Sequence, residues 1–272
     1  MNNMPKPNHA FTLIELIVVV AVIAMLAVSV LPALAARSRP QVLRITCSNN
    51  LKQVGLAFRT WAISHNGFMP MQVSGAQGGN AEDVQTYART LGTTQAGSHG
   101  ACKMFLCLSN ELTTPKFLFC PAEYETSYRQ MATTFSGVSA PGTVPYTNDL
   151  NTSYFVGVDA SEAYPRMLLT GDHNLGGNAN PPTVAYLAAP STGMPKVSLG
   201  TNFTANAGPA WMDNMHGKQG NVGMADGSVE WFGRTNLQDA LKSSGDRGRV
   251  PLSYVLATGA SAGAGCNRIL LP

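Results

Sequence analysis

Few residues of this chain have the type and spacing to do chemistry. His216 precedes Asp226 by ten positions and Gly227 follows directly, giving the pattern H-x(9)-D-G. With Asp172 these make one histidine and two scattered acids. Such a set lacks ligand spacing of the H-E-x-x-H kind, and no nucleophile motif accompanies it. A structural cause suffices for both motif residues. Asp226-Gly227 lies between two strand-like runs, in Asn221-Val-Gly-Met-Ala-Asp226-Gly227-Ser-Val-Glu-Trp-Phe232, and so signals a hairpin over 221–232. A type I′ turn there needs positive φ at both central residues, which Asp and Gly tolerate. His216 is then expected to hydrogen-bond a loop beside the hairpin. No catalytic residue is assigned, and the chain is not expected to be an enzyme. Asp172, Asp213 and Asp226 offer hard oxygen atoms to calcium. No dense D-x-[DN]-x-[DN] run occurs, so no cofactor is expected.

Five cysteines, Cys47, Cys102, Cys107, Cys120 and Cys266, make an even set with one left over. That count suits an exported domain with up to two disulfides. Zinc competes as a reading, but no C-x(2)-C pair exists and the Cys102–Cys107 spacing is loose for it. Reduced, buried thiols are the expectation for a domain facing the cytoplasm. Spacing does not fix the pairing; the working expectation is Cys47 with Cys120 and Cys102 with Cys107.

One further titratable residue stands out by its surroundings. From Phe11 to Ala36 the chain is almost wholly apolar, and Glu15 is the single charge within the run. As a helix this run spans about 39 Å, more than the roughly 30 Å of bilayer hydrocarbon. A secretory signal is a poor match, because its apolar core is shorter and its leader more basic. A carboxylate deep in lipid costs on the order of 2.5–3.5 kcal/mol and marks a function. If the chain is cut between Ala10 and Phe11, a new amine appears four residues before the acid and can neutralise it. The flanking charges point elsewhere: Arg37, Arg39 and Arg44 follow the run and Lys6 precedes it, so the positive-inside rule alone places the large domain in the cytoplasm. The short leader and the cysteines favour export.

The segment Ala10-Phe11-Thr12-Leu13-Ile14-Glu15-Leu16 resembles the processing site of type IV prepilins and type II secretion pseudopilins. The resemblance implies a prepilin peptidase that cuts before Phe11 and methylates its amine. It gives Glu15 the role of aligning incoming subunits. Pro32 falls where pilin helices often carry a proline, and it favours a kink by removing the bond to the Val28 carbonyl. Ala10 departs from the glycine usual before the cut. Cys47-Ser-Asn-Asn-Leu-Lys-Gln-Val-Gly-Leu-Ala57 resembles the C-x-N-N-L-K-Q-x-G-L-A segment of bacterial pilin-like proteins of unknown function, and H-x(9)-D-G resembles their C-terminal signature. The resemblance touches both ends and leaves the middle uncovered.

Beyond Pro40 the pattern becomes amphipathic. Leu51, Val54, Phe58, Trp61 and Ala62 recur at three- and four-residue spacing, and Asn66-Gly67 is a helix stop. Residues 66–115 read as loops with one short helix around Glu82–Leu91. Strands are expected at 153–158, 166–171 and 183–188, between Pro and Gly-Asn clusters. The expected organisation is a leader (1–10), a transmembrane and assembly helix (11–36), its amphipathic continuation (37–65) and an exported domain (66–272). The fold class is α+β and pilin-like, a long N-terminal helix packed on a mainly antiparallel sheet.

Only 12% of residues are charged and the 18 Lys and Arg are scattered, so no basic stripe marks a nucleic-acid partner. The expected partners are the prepilin peptidase, other pilin or pseudopilin subunits and the bacterial inner membrane. The leading function is a structural subunit of a type IV pilus-like fibre or type II secretion pseudopilus. A second class is a membrane-tethered binding protein whose domain recognises glycan or a secreted substrate, with Trp211 and Trp231 as its exposed aromatics.

Overall fold

A computed structural model describes residues 11–82, 84, 100–125, 129–138, 140–177, 184–185, 196–201, 203, 204, 206, 208–246 and 266–272. The chain divides into two compact units, residues 1–42 and 43–272. The architecture is the expected α+β, pilin-like one. Its first helix, α1, spans Leu13–Ser64 and contributes to both units.

In the first unit, Leu13–Val30 has a mean hydropathy of 3.0 and no buried residue. It is long and apolar enough to cross a membrane. A helix suits that setting because it satisfies every backbone group internally, which lipid cannot do for it.

In the second unit α1 becomes two-faced. Cys47, Leu51, Val54, Phe58, Trp61 and Ala62 are buried, whereas Lys52, Gln53, Arg59 and Thr60 face outward. The buried positions are those the three- and four-residue spacing picks out. The helix stops where Asn66 (φ 57°) and Gly67 (φ 81°) turn left-handed, and the Gly67 N–H donates to the Ala62 carbonyl at 2.8 Å. This left-handed pair satisfies carbonyls that the helix end would otherwise leave open.

Among the described residues nine strands follow: β1 Tyr154–Gly157, β2 Leu168–Asp172, β3 Leu175–Gly177, β4 Val184–Ala185, β5 Lys196–Ser198, β6 Ala210–Trp211, β7 Gly220–Met224, β8 Val229–Phe232 and β9 Arg268–Leu270. Among the described residues they form a six-stranded sheet, β5-β9-β1-β2-β7-β8, and a three-stranded one, β4-β3-β6. Every pairing is antiparallel. The expected strands 153–158 and 166–171 become β1 and β2. Of 183–188, Val184 and Ala185 form β4 and the remainder lies outside the described residues.

Side-chain alternation sorts the large sheet into two cores. Tyr154, Val156, Leu169 and Leu270 join the α1 face in one cluster. Phe155, Leu168, Val222, Met224 and Ile269 point the other way, into a cluster with Trp211, Phe232 and two residues of a late helix, Leu237 and Leu241. The central strands are thus buried on both faces.

Residues 66–115 are more ordered than the sequence reading of loops. Helices α2 (Ala101–Leu106) and α3 (Ser109–Leu112) lie within them and bury Cys102, Met104, Phe105, Leu108 and Leu112. Elements of six and four residues are too short to show a helical period. Of the helix expected at 82–91, residues 81, 82 and 84 are helical and the rest lies outside the described residues. A fourth helix, α4 (Arg234–Ser243), was not expected from the sequence.

The hairpin lies where the sequence puts it, but its turn is not type I′. Gly227 alone of the Asp-Gly pair has positive φ (87°). Its N–H donates to the Met224 carbonyl at 3.0 Å, while the Met224 N–H donates to Ser228 at 2.8 Å. The loop therefore has three residues, a type I turn closed by a glycine bulge, so Asp226 needs no left-handed backbone. Asp226 Oδ1 accepts the Ser228 N–H at 2.8 Å, fixing the turn from within. The turn also sits against α1. A Cβ on Gly55 would lie 3.8 Å from Gly227 Cα, and Arg59 Nη1 donates to the Asp226 carbonyl at 3.1 Å.

Phe58 is fully buried while Leu56, two residues away, is 60% exposed. Phe58→Ala is expected to lower unfolding free energy by about 3–5 kcal/mol, and Leu56→Ala to change it by less than about 0.5 kcal/mol. Urea unfolding of the detergent-solubilised chain, followed by tryptophan fluorescence, measures both.

Candidate functional site

Two places in the molecule hold side chains that could act. The first is the start of α1. Thr12 caps it: the Glu15 N–H donates to Thr12 Oγ1 at 3.3 Å, and Glu15 Oε2 accepts from the Thr12 N–H at 2.9 Å and the Thr12 hydroxyl at 2.7 Å. This is a reciprocal capping box, legible in Thr12-x-x-Glu15 although the sequence reading passed over it. Glu15 thus has a local role in helix initiation in addition to any role towards a partner. Phe11 and Glu15 are both exposed; Ala10 lies outside the described residues.

The second place is the core beneath α1. Cys47 on α1 is joined to Cys120 by a disulfide, as expected, across 73 residues of chain. Closing a loop of that length stabilises the fold by about 4 kcal/mol in the chain-entropy account. Cys102 and Cys107 are not joined. Five residues along a helical path turn the second side chain about 140° from the first, so their sulfurs diverge. Cys107 Sγ instead accepts a hydrogen bond from Asn80 Nδ2 at 3.1 Å.

His216 reaches the disulfide from the turn before β7, where Gly217 (φ 63°) and Lys218 (φ 60°) reverse the chain. Its Nε2 lies 3.2 Å from Cys120 Sγ and 3.5 Å from Asp172 Oδ2. Asp172 ends β2 and is fully buried. Its Oδ2 accepts from the Asn221 backbone N–H (2.7 Å) and Nδ2 (3.0 Å) on the neighbouring strand β7. Its Oδ1 has no hydrogen-bond partner among the described residues. Burial pushes the Asp172 carboxyl up to about 7, against the pull of the Asn221 hydrogen bonds. Burial, helped by the Arg44 charge, holds His216 down at about 4. The ring is therefore neutral at pH 7.

An ion-pair network flanks this pair. His173 Nε2 sits 2.9 Å from Glu123 Oε2, and Arg129 Nε 3.7 Å from Glu123 Oε1. Burial would raise the Glu123 carboxyl, but His173 and Arg129 outweigh it and keep the group ionised. Arg129 also donates to the carbonyls of Asp149 (2.8 Å) and Thr152 (2.5 Å) and to Pro272 O (3.0 Å). The Asp149 carboxylate accepts the N–H groups of Gly100 (3.0 Å) and Cys102 (2.6 Å) at the start of α2. A buried arginine and its acids thus tie α2, the loop before β1 and residue 272 together.

The structure separates the two residues of the C-terminal motif. His216 meets Asp172 and Cys120, whereas Asp226 serves its own turn. Asp172, Asp213 and Asp226 are not brought together as calcium ligands. Among the described residues the group of metal-competent side chains is Cys47, Cys120 and His216, with ligand atoms all within 4.8 Å. The roles of Asn221 and Glu123 were missed, although Asn221 opens the 221–232 hairpin and Glu123 follows Cys120 by three residues. Trp211 is buried, and Trp231 is 43% exposed with the Arg44 guanidinium 3.9 Å above its ring.

Residues 5–31 match the prokaryotic N-terminal methylation motif. No curated protein and no solved structure matches the chain. The apolar helix, its acid and this match mark a prepilin-type N-terminus, and the helix fits a membrane anchor.

The two buried groups make opposite demands on pH. The unfolded chain protonates His216 below 6.5 while the fold resists down to about 4, so that contribution is lost as pH falls through this window. Asp172 keeps its proton to about 7 in the fold but loses it near 3.8 when unfolded, so its contribution is lost as pH rises. Between about pH 4.5 and 6.5 the slopes cancel. Asp172→Asn removes one of them, and stability of this variant should climb with pH by up to about 1.4 kcal/mol per unit there. Urea midpoints across that range would rise more steeply with pH for the variant than for the native chain, in which the lowered His173 adds its own slope; parallel lines refute the assignment.

Proposed function

We propose that this protein is a non-enzymatic structural subunit of a type IV pilus-like fibre or type II secretion pseudopilus. In this reading a prepilin peptidase cuts between Ala10 and Phe11 and methylates the new amine. The inner membrane holds the Leu13–Val30 helix, and the domain carrying the disulfide lies on the periplasmic or extracellular side. The observation that carries the reading is Glu15, the single acid in the apolar segment Leu13–Val30, in which no residue is buried among the described residues.

Such a helix has two stable surroundings, lipid and a bundle of like helices. Glu15 is costly in the first and becomes favourable in the second, once the Phe11 amine of a neighbouring copy neutralises it. The acid thus converts lateral encounters into ordered addition. In this reading the capping box holds the acid until then. Thr12 donates two hydrogen bonds to the carboxylate, which softens its exposure without supplying a counter-charge.

The capping role and the charge role can be separated. Glu15→Gln keeps a hydrogen-bonding side chain for Thr12 but no charge; Glu15→Ala loses both. Both variants are expected to insert in the membrane normally and to abolish assembly, scored by membrane fractionation and by cross-linking of neighbouring subunits. Mass spectrometry of the native chain from cells should find Phe11 at the N-terminus with a methyl group. Normal assembly of Glu15→Gln, or retention of the first ten residues, overturns the proposal.

A further inference from the structure

The disulfide region holds more chemistry than a cross-link needs. A disulfide requires neither an imidazole nor a carboxylate, and a disulfide sulfur is a weak hydrogen-bond acceptor. Yet His216 Nε2 lies 3.2 Å from Cys120 Sγ, and the fully buried Asp172 stands 3.5 Å beyond it. Among the described residues no lysine or arginine pairs with Asp172; its ion-pair contact is His216. One of its oxygens is left without a partner. An orphaned carboxylate oxygen in a protein core is compensated by a proton or by a cation.

We propose that Cys47, Cys120, His216 and Asp172 form a four-ligand zinc site when the two cysteines are reduced, so that disulfide and metal are alternative occupants of one place. Two thiolates, one imidazole and one carboxylate are a donor set that zinc takes in tetrahedral geometry. With ligand bonds of about 2.0–2.3 Å, neighbouring donor atoms of such a site lie roughly 3.3–3.8 Å apart. The Nε2···Sγ and Nε2···Oδ2 separations of 3.2 and 3.5 Å are within a few tenths of that spacing. The two sulfurs must move apart, which breaking their bond allows, and Asp172, which lies outside the trio of Cys47, Cys120 and His216, must close on them. The second shell is already built: Asn221 donates twice to Asp172 Oδ2 and fixes the carboxylate on β2.

Loading takes one zinc ion and releases two thiol protons, together with the Asp172 proton wherever that carboxyl still holds one. Unloading requires an oxidant, for which a protein disulfide of the thiol–disulfide exchange class suffices. The zinc-bound dithiolate, that disulfide and two protons yield the Cys47–Cys120 bond, the partner's dithiol and free zinc. In either state α1 is tied to the segment before Pro121. The reduced chain is linked by coordination and the oxidised chain by a covalent bond.

The test uses the full chain in detergent, reduced with dithiothreitol, freed of reductant without air and titrated with zinc against a chromophoric chelator. One zinc per chain is expected, with none bound after oxidation. Cobalt in place of zinc should give the intense visible bands and thiolate charge-transfer absorption of a tetrahedral two-sulfur site. His216→Ala and Asp172→Asn should each weaken zinc by roughly ten-fold or more, as loss of a ligand demands. Replacing Cys102, Cys107 and Cys266 by serine should leave binding unchanged. The native cobalt spectrum keeps the test decisive even if His216→Ala fails to fold. No binding by the reduced chain, an octahedral cobalt spectrum, or affinity indifferent to both Asp172→Asn and His216→Ala overturns the proposal.

Discussion

The domain depends on a helix that must be buried along one side only. From Cys47 to Ala62, α1 offers an apolar stripe, and the sheet answers it with Tyr154, Val156, Leu169 and Leu270. Burial of such a face supplies most of the stability of a helix in a protein, far more than propensity does. The hairpin turn meets the helix at Gly55, where Gly227, with its φ of 87°, lies against α1. The Cys47–Cys120 bond then closes the helix onto the loop beneath it.

The polar interior follows from this arrangement. Once α1 covers the sheet, the ends of β2 and β7 lie away from water, as do Ala122 and Glu123 of the 3-10 turn Pro121–Glu125. Buried polar groups there must satisfy one another. Arg129 does so with three main-chain oxygens and Glu123, and Asp149 with the first N–H groups of α2. Asp172 and His216 are left incomplete by this internal settlement, with one oxygen unmatched and a neutral ring against sulfur.

Legibility in the sequence tracked the range of the interactions involved. The α1 face, its Asn66-Gly67 stop, β1, β2 and the 221–232 hairpin are set by neighbours along the chain, so period and turn residues reveal them. The pairing of Cys47 with Cys120 was anticipated; the absence of a Cys102–Cys107 bond was not, because it depends on α2 being helical. The turn of the hairpin was misjudged by one residue, since Asp-Gly serves a two-residue and a three-residue loop equally well. At the N-terminus Glu15 was conspicuous through the cost of its setting, while its bond to Thr12 was overlooked. Hardest to see was the meeting of His216 with Asp172 rather than Asp226. It arises from the pairing of β2 with β7, a contact across some fifty residues that no local spacing encodes.

The covalent link between α1 and the loop at Cys120 has a mechanical meaning as well. A pull along the helix from its N-terminal side meets the side-chain contacts of Leu43 and Arg44 and then the covalent link at Cys47, before it reaches the packed residues from Leu51 onward. Tension is therefore handed directly to the segment leading into Pro121, and through Ser153 Oγ, which accepts the Cys120 N–H at 3.0 Å, to the edge of β1. The stripe from Leu51 to Ala62 is shielded from peeling, because the strain bypasses it. A chain with this bond intact should yield under load by extension elsewhere, with the helix still seated on its sheet.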